Sequence, residues 1–326
     1  MRYKKLLFLL CLFLLQTIHA QVSNSVLAEG DWYRFSVDTT GVFKIDRSFL
    51  QQMGIGTNGI NPKKIHIYGN GGHLLPVKNS DLRYDDLQEN AIYISGEADG
   101  VFNADDYILF YAKGPHDWQE DVPNQTARHR HNIYTDVAYY FITINDADGK
   151  RISLNTPITA PSNTTITTFD DFVVHEKDEK NLLAVGTQWF FNADFNIENT
   201  QVFTIPFPNA VADEALTVRV RGVSNSVVSS AMEVSVNEQS AVTINYPATN
   251  PSSLTKAFAL ERSATLQNSN DNITVSITYN NNGNPSANAF LDYIALVGKK
   301  SLSFTADQFS FRSFAQADAV APVTYE

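Results

Sequence analysis

The 326-residue chain carries 35 acidic against 24 basic side chains, a formal charge of −11. The acidic residues are dispersed and no basic stripe interrupts them, which argues against nucleic acid and against docking on an anionic membrane. The single cysteine, Cys11, falls within an N-terminal leader, so the rest of the chain has no disulfide, thiolate metal site or cysteine nucleophile.

The leader occupies residues 1–20. Arg2, Lys4 and Lys5 precede an unbroken apolar run over 6–15, and Thr17-Ile-His-Ala20 sets a small residue before Gln21, the order of a cleaved Sec signal peptide. Ten apolar residues are too few for a spanning helix, and no later stretch offers a transmembrane segment. Cleavage would remove three of the basic residues, leaving 21 against 35 acidic and a charge of −14. Export without disulfides suits a bacterial protein stabilised by the size of its core.

From Asp31 the sequence is written in short β-type segments. Residues 31–37 alternate, 38–41 turn and 42–45 start back, the signature of a hairpin. Asp46 then caps one short helix over Arg47 to Met53, stopped by Gly54. A strand is predicted over 64–68, and a sharp turn at Gly69-Asn-Gly-Gly72. That glycine cluster makes no phosphate cradle, because His73-Leu-Leu-Pro76 cannot open the helix a cradle requires. Further strands are predicted over 91–95, 107–112, 138–144 and 151–154. This gives a β-rich N-terminal domain over 21–155 and a Thr/Pro/Ser/Asn-rich linker over 156–168.

A second domain, 169–315, repeats strands of five to ten residues over 201–207, 215–222, 232–236, 241–246, 254–260, 273–279 and 290–297. That rhythm, with no helical period competing, predicts a jelly-roll-like β-sandwich. The fold class is therefore all-β. Residues 316–326 end on an alternating stretch and read as the start of a following domain, with the sequence as the N-terminal portion of something longer.

Three clusters carry candidate chemistry. With Gly100 as the turn glycine of an EF-type loop, Ser95, Glu97, Asp99, Asn103 and Asp106 fall at ligand positions, with the Val101 carbonyl between them. Glu97, Asp99, Asn103 and Asp106 are thus candidate ligands of a structural calcium ion. The competing account makes Asp99-Gly100 a turn, capped by Asn103 and Asp105, with Asp106 facing water at a strand end. His129 and His131, at i and i+2, share one face of a strand and suit a transition metal, but no third ligand is near in sequence and two arginines flank them. His175-Glu176 is half of a zincin motif whose second histidine is absent.

Several stretches in order resemble a known family. Asp31-Trp-Tyr-Arg-Phe35 with Gly41-Val-Phe-Lys-Ile45, Gly100-Val-Phe-Asn-Ala-Asp-Asp-Tyr-Ile-Leu-Phe-Tyr111, His131-Asn-Ile-Tyr-Thr-Asp136 with Tyr139-Tyr-Phe-Ile-Thr143, and Phe290-Leu-Asp-Tyr-Ile294 are similar to the N-terminal region of the gingipain-type (C25) cysteine peptidases. The likeness is strongest to the type IX secretion system sortases of Bacteroidetes. It implies a cell-surface enzyme of a Gram-negative bacterium that removes C-terminal signals from exported cargo and joins the cargo to a lipopolysaccharide anchor.

The resemblance covers only the propeptide-like and jelly-roll part. No catalytic residue can be carried over, and without a thiol in 21–326 the chain is expected to be inactive alone. Its implied work is to shield, fold or dock the peptidase, with the downstream peptidase domain and type IX components or cargo as partners. Two other readings compete with it. One is a free-standing surface adhesin or carbohydrate-binding protein using Trp189, Phe190 and Phe191 as a platform. The other is a metal-dependent hydrolase built on the carboxylates of 97–106.

Overall fold

A computed structural model describes residues 25–155, 159–304, 308–317, 319 and 321–326; the leader, Cys11 included, lies outside them. No helix among the described residues is long and apolar enough to cross a membrane. The elements follow in chain order: β1 (Tyr33–Val37), β2 (Gly41–Asp46), α1 (Arg47–Gln52), β3 (Ile65–Tyr68), β4 (Glu89–Asn90), β5 (Ile92–Ile94), β6 (Tyr107–Ala112), β7 (Asp117–Asp121), β8 (Thr126–Arg130) and β9 (Ala138–Ile144). Then come β10 (Thr165–Ile166), β11 (Thr168–Glu176), β12 (Thr200–Pro206), β13 (Glu214–Asn225) and β14 (Ser230–Val236). The last are β15 (Gln239–Tyr246), β16 (Phe258–Asn268), β17 (Asn272–Asn280), β18 (Asn288–Ser301) and β19 (Thr324–Tyr325). The architecture is all-β, with antiparallel pairing in every sheet except the two-stranded β10–β19, which is parallel.

Two compact units divide the chain. One comprises the residues up to His116 with Tyr134–Leu154, the other Asp117–Ile133 with Asn155–Glu326. The first unit stacks two sheets, ordered β1-β9-β3-β4 and β2-β6-β5. Alternation on β6 turns Ile108, Phe110 and Ala112 inward, where they meet Val37, Ile65, Ile67, Tyr140 and Ile142 in one core. Each large apolar side chain so buried contributes about 1.5–3 kcal/mol of hydrophobic stabilisation. The predicted hairpin of β1 and β2 does not form: β1 pairs with β9 and β2 with β6. The turn between them is a corner that carries the chain from one sheet to the other. Helix α1 begins where expected, with the Asp46 carboxylate accepting from Phe49 N at 2.8 Å and Leu50 buried. Gly69 is required by contact, since a Cβ there would fall 2.4 Å from the Tyr140 ring. The strand expected over 151–154 is only an isolated bridge from Arg151 to Ile92.

The second unit is a jelly roll. Its eight long strands form two four-stranded sheets, β11-β18-β13-β16 and β12-β17-β14-β15. Successive strands of the chain alternate between the sheets except at the β14–β15 hairpin, which is the double Greek key winding of that fold. The inner faces meet through Ile205, Leu216, Val218, Val220, Met232, Val234, Ile277 and Leu296. In the structure β7 and β8, inside the stretch 21–155, fold with the second unit. Their hairpin covers the outer face of the first jelly-roll sheet, where Ala127, Phe172, Val297 and Phe314 pack with Trp118 and Val122. The terminal segment read as the start of a following domain pairs through β19 with β10.

Candidate functional site

The loop 95–106 draws its candidate ligands into different tasks. Glu97 Oε1 lies 2.6 Å from Arg151 Nε, while Asp99 accepts from Val101 N at 2.9 Å and from Asn103 Nδ2 at 2.9 Å. Asp106 does not face water: it is 8% exposed and accepts from Asn103 N at 2.7 Å. Gly96 and Gly100 adopt φ of +81° and +77° on either side of a short 3-10 turn, and Phe102 next to it is driven into the core. The structure thus joins Asp99, Asn103 and Asp106 in one hydrogen-bonded turn and gives Glu97 to Arg151.

The outer face of the sheet β11-β18-β13-β16 holds a denser constellation. Strand β18 puts Ala289 and Leu291 and then Ile294 and Leu296 into the inner core, a change of parity at a register shift opposite Arg221 and Gly222. This bulge turns Asp292 and Tyr293 to the outer face together. There Asp292 accepts from Arg221, and Tyr293 donates to Glu261. Arg219, 7% exposed, lies 3.4 Å from Glu261 and donates to the Ala127 carbonyl of β8 at 2.8 Å. Burial, opposed by Arg221 and reinforced by Glu176 and Asp178, pushes the Asp292 carboxyl up to about 7 from its ordinary 3.8.

Above this face stand the histidines of the second cluster. His129 Nδ1 lies 3.0 Å from Glu176 Oε2, and His131 Nδ1 lies 3.9 Å from the same oxygen. His131 Nε2 lies 2.9 Å from Asp178 Oδ2. Trp118 packs on His129 with ring centroids 5.1 Å apart. Donor atoms of His129, His131 and Glu176 all fall within 4.8 Å of one another. A cavity of about 180 Å³ opens beside them, lined also by Gln188, Trp189 and Asp292. The carboxylate that the sequence lacked near the histidines is Glu176 of β11, brought to them by the packing of the hairpin.

Alternation along β11 separates the half zincin pair. Glu176 joins the outer cluster, while His175 lies between Phe191 and Phe203, with ring centroids at 5.2 and 5.6 Å. Burial, aided by Lys177, holds the His175 imidazole below its usual range. The aromatic platform read at 189–191 is not at the surface. Phe190 and Phe191 are 2% and 6% exposed, and only Trp189 reaches solvent. Phe190 instead helps to line a larger cavity of about 630 Å³ under the segment 180–190, with Leu182, Val223 and Phe290 on its apolar wall.

Neither a family model nor a curated protein matches the sequence. Among solved structures, the crystal structure of dimeric latent PorU from Porphyromonas gingivalis matches with a TM-score of 0.72 at 21% identity, over 91% of this chain and 27% of that one. The chain has the fold of part of PorU. It spans about a quarter of the PorU chain's length. The carbohydrate-binding module CBM36, in complex with calcium and xylotriose, matches 40% of this chain and 99% of its own at 10% identity, with a TM-score of 0.25. The insecticidal delta-endotoxin Cry8Ea1 from Bacillus thuringiensis matches 74% of this chain and 43% of its own at 15% identity, with a TM-score of 0.26. Scores that low carry no argument, so of these three PorU bears on the fold.

Proposed function

We propose that this chain is the N-terminal, non-catalytic part of a type IX secretion sortase. In this reading it is exported through the Sec route to the outer membrane of a Gram-negative bacterium. There it shields, folds or docks the peptidase that removes C-terminal signals from cargo and attaches the cargo to the surface. The observation that carries the proposal is the fold shared with PorU over nine-tenths of the chain. The motif order supports it independently. The residues that resemble the gingipain-type family lie partly on β1, β2, β6, β9 and β18 and partly in the loops over 100–106 and 131–136, and many are core positions such as Ile108, Phe110, Tyr140 and Leu291. Resemblance concentrated in packing residues is what a shared scaffold without catalytic duty produces. PorU was crystallised as a latent protein, a state that suits a shielding role for shared regions.

For the rival adhesin reading, Trp189 is at the surface while Phe190 and Phe191 are buried. The test is to mix residues 21–326 with the separately produced peptidase domain of a type IX sortase from the same bacterium. A complex, with altered peptide turnover by the peptidase and none by the chain itself, is expected. No complex and unaltered turnover would remove the proposal.

A further inference from the structure

We propose that His129, His131 and Glu176 bind one divalent transition-metal ion, zinc being the best fit, and that the ion ties the β7–β8 hairpin to β11. The inference does not depend on the sortase reading. Two imidazoles and one carboxylate with donor atoms within 4.8 Å of one another are a set that one ion can gather with small side-chain movements. Nitrogen donors favour zinc, copper or nickel and disfavour calcium, which takes oxygen ligands.

Three features beyond proximity point to an ion. The first is orientation. His131 turns Nδ1 toward Glu176 while Nε2 lies 2.9 Å from Asp178. With the proton on Nε2 donated to that carboxylate, the Nδ1 lone pair faces the cluster. A carboxylate behind the far nitrogen is the usual support of a metal-bound histidine, because it fixes the tautomer and raises ligand basicity. The second is charge. Arg128 reaches Glu261 at 3.1 Å, a carboxylate it shares with Arg219, and Arg130 reaches Asp117 at 2.8 Å, so the flanking guanidinium groups are paired with carboxylates other than Glu176 and Asp178. Arg221 is likewise engaged by Asp292. The third is room. Three protein ligands leave a coordination position for water, and the adjoining cavity of about 180 Å³ is polar and large enough to hold one.

The plain alternative is that Glu176 only hydrogen-bonds His129. Zinc titration of the tag-free chain after chelator treatment, followed by calorimetry, separates the two. About one equivalent is expected to bind. Cobalt(II) should give the visible absorption of a four-coordinate nitrogen and oxygen site, bleached by added zinc. Asp178→Asn should weaken zinc binding by about 10–100-fold, as loss of such supporting carboxylates does. A His129→Gln, His131→Gln double variant should lose it. Failure of the folded wild-type chain to take up zinc would overturn the proposal, whatever the variants do. Uptake unchanged in the double variant would overturn it as well.

Discussion

Gly96→Ala and Gly100→Ala add the same methyl group to two glycines of one loop with opposite surroundings. Both sit at left-handed φ, +81° and +77°, so each substitution brings a backbone cost of about 1–2 kcal/mol. At Gly100 nothing lies within 4 Å of the added carbon, and the cost should stop there. At Gly96 the carbon would fall 1.9 Å from Asp106 Oδ1. Asp106 must then move, and it is buried with its hydrogen bond from Asn103 N. Losing a hydrogen bond to a charged group adds about 1.5–3 kcal/mol, for a total of about 3–5 kcal/mol. Because the chain has two units, global unfolding curves would blur the effect. Hydrogen exchange in graded urea, read on peptides of the first unit alone, isolates it. If the two variants lose equal stability, the packing of Asp106 under Gly96 is wrong.

Tyr140→Phe should cost the first unit about 1–3 kcal/mol, because the buried hydroxyl accepts from Lys113 N at 2.7 Å and donates to Lys113 O at 3.1 Å; the same hydrogen exchange on peptides of the first unit measures it. Arg221→Met would strand the buried Asp292 carboxylate and should destabilise the second unit by about 3–5 kcal/mol, with Asp292→Asn restoring most of the loss in the double variant. Asp292 also sets a pH dependence. Its folded pKa of about 7 exceeds the unfolded 3.8, so the folded state holds this proton more tightly and stability falls as pH rises between those values. The span corresponds to up to about 4 kcal/mol, and Asp292→Asn should flatten the slope; parallel pH profiles for variant and wild type would refute it. Finally, residues 21–326 should gain no mass with iodoacetamide and cleave no peptide, since Cys11 is the single cysteine. Alkylation detected by mass spectrometry, or turnover surviving purification controls, would contradict it.

Strand rhythm brings much of the second unit into view, because six of its strands alternate or run apolar between turn residues and so declare themselves locally; the expected 254–260 reaches only the first three residues of β16, and β11 has no counterpart among the expected strands. What the rhythm could not supply was partnership. Residues 31–45 look like a hairpin because two strands flank a four-residue turn, yet each finds its partner about a hundred or about seventy residues away. The hairpin β7–β8 shows the same limit. Its inward residues Trp118 and Ala127 are ordinary apolar positions until Phe172 and Val297 arrive to cover them. The histidine pair is visible as an i, i+2 spacing, but in the sequence Glu176 goes with its neighbour His175, and only strand alternation divides those two between faces. For Asp292 no local signal existed, since a bulge placed it on the outer face.

The discontinuity of the units gives these residues a common logic. The chain leaves the first unit at His116, builds a hairpin in the second, and returns at Tyr134. A fragment ending at 155 would keep that hairpin without Phe172, Val297 and Phe314, and an isolated two-stranded hairpin is marginal in water. The complementary fragment would expose the same apolar patch and leave the Arg219 guanidinium, which is buried, without the Ala127 carbonyl it donates to. It would also lose both imidazoles opposite Glu176. The hairpin's apolar underside and its buried hydrogen bond already fix it to the sheet. A metal at its end would therefore act on a preformed contact, adding ligand-linked stability to the second unit without having to fold it.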